Sequence, residues 1–146
     1  MAYTLTTANS AFILDVPDIF SVQQAIQGYA VDDAFETDVV KPSEAVLGVD
    51  AQMSAGYTPY LVVLKFYLMA TSLSILTMDQ WVGAMAAVRE TSYADGTIIL
   101  PGIQKIYTFT QGVLTSATPM PASKKQLGQV NYEITFQSVS SAPYLP

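Results

Sequence analysis

Residues 60–69, YLVVLKFYLM, are the most informative stretch of this 146-residue chain because they are apolar on both faces. Side chains alternate between the two faces of a β-strand. One face here would carry Tyr60, Val62, Leu64, Phe66 and Leu68, and the other Leu61, Val63, Lys65, Tyr67 and Met69. A small antiparallel domain usually exposes one sheet face to water. This strand therefore predicts cover on both sides, from a helix of the same chain or from another subunit.

The composition excludes several kinds of chemistry. The chain has no cysteine and no histidine, which removes thiol nucleophiles, disulfides, zinc fingers and the Ser-His-Asp triad. Charged residues make up only 12% of the chain, about half the usual share of about 25%. So few charges are typical of a subunit whose exterior is largely covered by partners, although a neutral, β-rich monomer is the alternative.

The net charge of −6 is unevenly distributed. Residues 1–60 contain eight acidic residues and one basic residue, Lys41, whereas the remainder of the chain is close to neutral. A protein that grips nucleic acid needs a basic patch to displace counterions from phosphates. None is visible, and an acidic surface instead suits a protein past which DNA must move without adhering.

Membrane insertion and secretion are not predicted. No apolar run approaches the ~18 residues of a membrane span, and Lys65 interrupts the longest one. The first twelve residues lack the basic start and apolar block of a signal peptide. The sequence therefore predicts a soluble protein that is made in the cytoplasm.

Alternation and turn residues predict further strands. They lie at residues 11–16, 34–40, 96–100, 103–114 and 131–139, while residues 20–27 are ambiguous between strand and helix. In the last strand, Tyr132, Ile134 and Phe136 are expected to face inward. Gly112 interrupts its strand, which indicates a bulge or a close backbone approach.

One amphipathic helix is predicted at residues 78–90. Thr77 and Gln80 have the spacing of a capping box, and Asp79 would lie in the first turn, at the positive end of the helix dipole. Arg89 would lie in the last turn, where a cation is favourable. Trp81 is expected to be a core residue rather than a platform for a ligand.

These elements predict one domain, residues 1–146, that is mainly β. The expected architecture is an antiparallel β-sandwich or partial barrel with the helix on one flank. An N-terminal arm is predicted at residues 1–10, a long functional loop at 41–58 and a C-terminal arm at 140–146.

Residues 48–57, GVDAQMSAGY, precede the apolar strand, which is followed by the turn TSLS at 71–74 and the helix start MDQW at 78–81. This order of motifs resembles that of the tail tube proteins of tailed bacteriophages. Ala51 stands where the family pattern has a second glycine. Residues 112–116, GVLTS, with Pro119, Pro121 and the two lysines at 124–125, also resemble the C-terminal half of that family.

This resemblance implies a structural subunit that assembles into hexameric rings, which stack into a tube for DNA ejection into the host. The implied partners are further copies of the chain, a tape measure protein and, in a contractile tail, a sheath protein. Genomic double-stranded DNA would pass through without specific binding. The implied location is the virion tail, after assembly in the host cytoplasm. The loop would contact neighbouring subunits through Gly48, Val49, Asp50, Met53, Gly56 and Tyr57.

The roles of several other charged residues have more than one interpretation. Asp32, Glu36 and Asp38 form an acidic stripe that could line the channel, or be a solvated outer face or part of an inter-subunit ion pair. Lys65 is expected to extend its charged end to solvent or to pair with a carboxylate across an interface, rather than to act as a reactive amine. The spacing of an EF-hand is absent, and no two carboxylates are fixed at the separation that a glycosidase needs.

We therefore expect neither a cofactor nor a metal, and no enzymatic activity. The alternative function is that of a monomeric β-barrel which binds an apolar small molecule.

Overall fold

The computed structural model describes residues 10–27, 35–123 and 125–144. The elements in chain order are β1 (Ala11–Asp15), β2 (Gln24–Ile26), β3 (Phe35–Thr37), β4 (Ser43–Leu47), β5 (Met53–Tyr57), β6 (Val62–Leu68), α1 (Ser74–Val88), β7 (Ala94–Leu100), a 3-10 turn (Pro101–Ile103), β8 (Lys105–Ala117) and β9 (Val130–Pro143). No helix in this described part of the chain is both long enough and apolar enough to cross a membrane.

Seven strands form one antiparallel sheet in the order β2-β1-β7-β8-β9-β6-β3. The sheet curves into a half-barrel, and α1 contributes to its core. The predicted fold class, mainly β with one flanking helix, is confirmed. Among the described strands, β4 and β5 pair only with each other, as a separate two-stranded sheet.

The apolar strand at residues 60–69 is β6, near the β3 edge of the sheet. Its residues alternate between buried and half-buried, with Val62, Leu64, Phe66 and Leu68 in the core. Val63, Lys65 and Tyr67 on the other face are half-buried within the single chain. One face is therefore covered as predicted, whereas cover by another subunit on the second face remains a prediction.

Aromatic side chains fill the core between the sheet and α1. Phe66 meets Phe12 edge-on, with ring centroids 5.3 Å apart, and stacks on Tyr132 at 5.4 Å. Met78 and Trp81 of α1 are fully buried in the same cluster. Trp81 is thus a core residue as predicted. Tyr132, Ile134 and Phe136 of β9 are buried, which confirms the predicted inward face.

The predicted start of the helix at residue 78 is wrong, because α1 begins at Ser74. Thr77 lies inside the helix, so it does not form the predicted capping box. The Oγ atom of Ser74 instead accepts a hydrogen bond from the backbone N–H of Gln27 at 2.8 Å, and the hydroxyl of Ser72 donates to the carbonyl oxygen of Gln27. Contacts with the end of β2 therefore fix the first turn.

The two charged residues predicted for the first and last turns of the helix do not lie in those turns. Asp79 lies beyond the first turn, since the helix starts four residues earlier than expected. Arg89 is the C-cap, in the left-handed conformation with φ 58°, rather than a residue of the last turn.

Gly112 marks a bulge, as predicted, and a close approach that is made by side chains and not by backbone. The register between β7 and β8 shifts between Ala94 and Gly96, and Gln111 has a positive φ of 53°. A Cβ atom at Gly112 would lie 2.5 Å from Cε1 of Phe136 and 3.0 Å from Cγ2 of Ile134. Only a residue without a side chain fits there.

Two segments that were predicted to be irregular contain β-strands. Residues 43–57, within the predicted loop at 41–58, form the β4–β5 hairpin. The predicted C-terminal arm at 140–146 is wrong for residues 140–143, because β9 runs to Pro143, which pairs with Lys105 of β8. Nearly all of the predicted N-terminal arm, residues 1–9, lies outside the described residues, as do residues 145–146.

Candidate functional site

The sheet face opposite the core presents a charged cluster where three strands meet. Their register places Glu36 of β3 and Glu133 of β9 on either side of Lys65 of β6. The ammonium group of Lys65 lies 3.0 Å from Oδ1 of Asp38 and 3.9 Å from Oε1 of Glu133. We call the surface formed by Glu36, Asp38, Val63, Lys65, Tyr67, Glu133 and Thr135 the outer sheet face.

Lys65 is ion-paired, but both carboxylate partners belong to its own chain and do not lie across an interface as predicted. The hydrogen bond and the negative charge of Asp38 raise the pKa of Lys65 above its ordinary value. A reactive amine requires the opposite shift, since a neutral lysine is the nucleophile. The cation in the middle of this face is therefore already bound by carboxylates.

The acidic stripe is partly assembled by the fold. The hydroxyl of Tyr67 donates a hydrogen bond of 2.7 Å to Oε1 of Glu36, and the backbone N–H of Asp38 donates to the carbonyl oxygen of Val63. These bonds hold Glu36 and Asp38 on the same sheet face. Asp32, the third predicted member, lies outside the described residues.

Hydroxyl groups continue the outer sheet face beside the charged cluster. The hydroxyls of Thr110 and Ser138 lie 2.6 Å apart, and those of Thr115 and Thr135 lie 3.1 Å apart. The exposed groups of this face are thus mainly carboxylates and neutral hydroxyls. Sequence reasoning missed this hydroxyl surface, although the repeated threonines of β8 were a signal for it.

The predicted inter-subunit loop residues lie on the β4–β5 hairpin. Gly48, Val49 and Asp50 are in its turn, while Met53, Gly56 and Tyr57 are on β5. The backbone N–H of Gly48 donates to the carbonyl oxygen of Gln52 at 2.8 Å, which closes the turn. Ala51 has a φ of 65°, the conformation that favours glycine, at the position where the family pattern has one.

The hairpin has one apolar face, which the sequence analysis did not identify. The register places Leu47 opposite Met53, Ala45 opposite Ala55 and Ser43 opposite Tyr57 on one face. The other face carries Glu44 opposite Gly56 and Val46 opposite Ser54. All ten strand residues are exposed, with Leu47 at 71% and Met53 at 70%. We call the face with Ala45, Leu47, Met53, Ala55 and Tyr57 the apolar hairpin face.

An open apolar groove lies at the root of the hairpin. Its volume is about 440 Å³. Strands β3 and β6 lie on one side of the groove, and strands β7, β8 and β9 lie on the other. Its lining residues include Phe35, Val40, Tyr60, Leu100, Tyr107 and Val139. We call this surface the root groove. The sequence analysis missed it because its walls come from segments far apart in the chain.

The described residues include no group of three or more histidine, cysteine, aspartate or glutamate side chains that could hold a metal ion.

Three solved structures share this fold over nearly the whole chain. A subunit in the cryo-EM structure of the anti-feeding prophage cap, which terminates the tube, is 13% identical, with a TM-score of 0.60 over 98% of this chain and 93% of that one. A subunit of the anti-feeding prophage baseplate is 12% identical, with a TM-score of 0.57 over 98% of both chains.

The third similar structure is the sheath/tube terminator, in its extended state, of an extracellular contractile injection system. It is 11% identical, with a TM-score of 0.53 over 97% of this chain and 99% of that one. No curated protein matches the chain significantly.

The sequence itself identifies the family. The half-barrel fold is shared with subunits of the anti-feeding prophage cap and baseplate and with the sheath/tube terminator of an extracellular contractile injection system. Residues 4–140 match the family described as tail fiber protein gp32. The chain is therefore a tail-type structural protein and belongs to the tail fiber protein gp32 family.

Proposed function

We propose that this protein is a phage tail tube subunit that forms hexameric rings, which stack into a channel for DNA ejection. The observation that carries the proposal is the open half-barrel, whose sheet ends in two strands, β2 and β3, that no other described strand covers, and whose outer face is only partly buried. Its fold likeness to subunits of tube-terminating and baseplate assemblies supports the same conclusion.

The two sheet edges are the places where a ring would be joined. Among the described strands, β2 pairs only with β1 and β3 pairs only with β6, so each has an outer side that no described strand covers. Both edge strands are three residues long. An unpaired edge is a template for pairing with another chain, and pairing between unlike edges closes into a ring when the rotation is suitable.

The outer sheet face would line the channel. Duplex DNA carries one negative charge per ~1.7 Å of its axis and adheres to surfaces that offer unpaired cations. Lys65 is bound to Asp38 and Glu133, and its neighbours are carboxylates and hydroxyls. A wall of this composition lets DNA pass without adsorbing.

The same proposal sets the partners and the place of action. The tape measure protein would occupy the channel before the genome does, and a sheath protein would surround the tube if the tail is contractile. The subunit would assemble in the host cytoplasm and act in the virion tail.

The description of the family favours a second candidate, a subunit of a tail fibre. The two candidates differ in the shape of their assemblies, because a fibre subunit would form elongated rods without a bore.

Electron microscopy of the purified protein at high concentration, with mass measurement by light scattering, tests the proposal. Rings of about six times the 15.8 kDa chain mass, or tubes built from them, are expected. Elongated rods would favour the fibre. A monomer at every concentration would contradict both, and one that binds an apolar small molecule would support the β-barrel alternative.

A charge reversal tests the channel assignment separately. Replacing Glu133 with lysine should leave rings intact and give them a DNA affinity that falls steeply with added salt. The matched control is Glu90→Lys, which makes the same change in charge at an exposed position beside α1. Equal DNA binding by both variants would contradict a channel lined by the outer sheet face.

A further inference from the structure

We propose that the apolar hairpin face of one copy packs into the root groove of the next copy. This inference rests on the proposed self-assembly and adds to it the acceptor surface and the direction of the contact. The occupant is the β4–β5 hairpin of a second copy of this chain.

The hairpin lacks a core of its own. It contains two strands of five residues, and all ten are exposed in the single chain. An isolated two-stranded hairpin is marginally stable in water at best, and needs packing against another surface. Its apolar side chains form one ribbon, with Leu47 beside Met53 near the tip and Tyr57 at the root. Such a ribbon presents the surface that a neighbouring molecule can bury.

The root groove supplies a complementary surface. Tyr60, Leu100, Tyr107 and Val139 give it apolar walls that are only partly buried in the single chain. The hairpin contains two acids and no base, so unpaired acids in the groove would oppose it. The two acids that line the groove are compensated, because Glu36 accepts a hydrogen bond from Tyr67 and Asp38 binds Lys65.

The hairpin of the same chain does not fill this groove. Val40 and Tyr60 line the groove, and the hairpin leaves the domain between them, at a root closed by the hydrogen bond from Thr58 N–H to the carbonyl oxygen of Pro42. Five strand residues extend ~17 Å from that root. Leu47 and Met53 at the far end stay exposed.

A contact between two different surfaces has a direction. Each copy would offer a hairpin to one neighbour and a groove to another, so the interface is heterologous. Interfaces of this kind generate closed rings or open filaments rather than simple two-fold dimers. The proposed contact is thus of the kind that a ring requires.

Neighbouring residues of β4 provide a matched pair of variants. Leu47 and Val46 are similarly exposed, at 71% and 66%, but lie on opposite faces of the hairpin. Leu47→Asp should raise the concentration needed for assembly roughly tenfold or more, because a charge would be buried in the groove. Val46→Asp should change the concentration needed for assembly by about twofold or less. Equal effects of the two variants on assembly would overturn the proposal.

Mixing two defective variants tests the direction. Leu47→Asp keeps an intact groove, and Val139→Asp keeps an intact hairpin, so neither should form rings alone. Their equimolar mixture should form a one-to-one dimer and stop there. If the wild type forms rings but the mixture forms no complex, the hairpin–groove contact is wrong while the proposed function stands. If the wild type forms no rings, both fail.

Cross-linking gives a second measurement that does not require a disruptive charge. The chain has no cysteine, so a pair introduced at Leu47 and Val139 forms the only possible disulfides. Oxidation should give a ladder of covalent multimers on a denaturing gel, with at least several-fold less product for cysteines at Val46 and Val139. Equal yields would overturn the proposal. Near-ultraviolet circular dichroism of the buried Trp81 checks that each variant is folded.

Discussion

Gly112 illustrates how one residue sets the packing between β8 and β9. Its Cα lies against the ring of Phe136, and there is no room for a methyl group. Gly83, in the middle of α1, has nothing within 4 Å of the position that a Cβ would occupy. The two glycines thus have different physical roles, one in close packing and one on an open helix surface.

We expect Gly112→Ala to lower the free energy of unfolding by about 1–3 kcal/mol, because overpacking forces the Phe136 ring to move. Gly83→Ala should raise it by about 0.5–1 kcal/mol, because alanine favours the helix. Urea unfolding followed by the fluorescence of Trp81 measures both. Loss of stability in the two variants alike would contradict this account of Gly112.

Tyr132 gives the protein a dependence on alkaline pH. Its side chain is buried, and its hydroxyl has no hydrogen-bond partner among the described residues. Burial and the nearby charge of Asp79 raise the pKa of Tyr132 to about 12. In the unfolded chain its pKa is about 10. Between these values the unfolded state loses the proton while the folded state keeps it, so stability falls as pH rises.

We expect Tyr132→Phe to unfold with similar or greater stability at pH 7, since it removes an unpaired buried hydroxyl. Between about pH 10 and 12 its free energy of unfolding should fall less steeply than that of the wild type, by up to about 1.4 kcal/mol per pH unit. Urea unfolding at a series of pH values measures the difference. Identical slopes would contradict a raised pKa at Tyr132.

At the scale of elements, α1 is positioned by β2. Ser74 is buried and accepts a hydrogen bond from the backbone N–H of Gln27, whereas Thr77 lies within the helix. The helix therefore starts where a tertiary contact is available, and not at the capping box that the local sequence suggests.

We expect Ser74→Ala to lower the free energy of unfolding by about 1–2 kcal/mol, since it leaves the N–H of Gln27 without its acceptor. Thr77→Ala should be neutral or stabilise by up to about 0.7 kcal/mol, as alanine is the better helix residue. Thermal unfolding of the two variants measures both effects. A greater loss in Thr77→Ala would restore the capping box as the start of the helix.

At the scale of the whole molecule, folding and assembly use different parts of the chain. The seven-stranded sheet and α1 contain the buried core, while the hairpin is exposed throughout. Backbone hydrogen bonding between Thr58 and Pro42 brings the two ends of the hairpin together. The hairpin can therefore be removed without opening the fold.

We expect a variant with residues 43–57 replaced by two glycines to keep a melting temperature within about 3 °C of the wild type, because little buried surface is lost. The same variant should form no rings. Calorimetry and electron microscopy measure the two properties. A large fall in melting temperature would show that the hairpin belongs to the fold, and rings that persist would show that assembly does not need it.

The amino-acid sequence by itself determined the properties that depend on local pattern. Alternation in β6 and β9 defined their buried faces, and the isolated charge of Lys65 indicated an ion pair. The glycine at 112 marked a bulge. These inferences hold because a strand has a period of two residues, and because charge and side-chain volume have costs that any fold must meet.

Only the tertiary structure decided the start of α1, the two faces of the β4–β5 hairpin and the root groove. Each depends on groups that are distant in sequence, such as Ser74 with Gln27, or Val40 and Tyr60 with Val139. The register decides which hairpin residues share a face, and a slip of one residue would exchange the faces. Such choices are made by chain segments that meet in space, which no local pattern encodes.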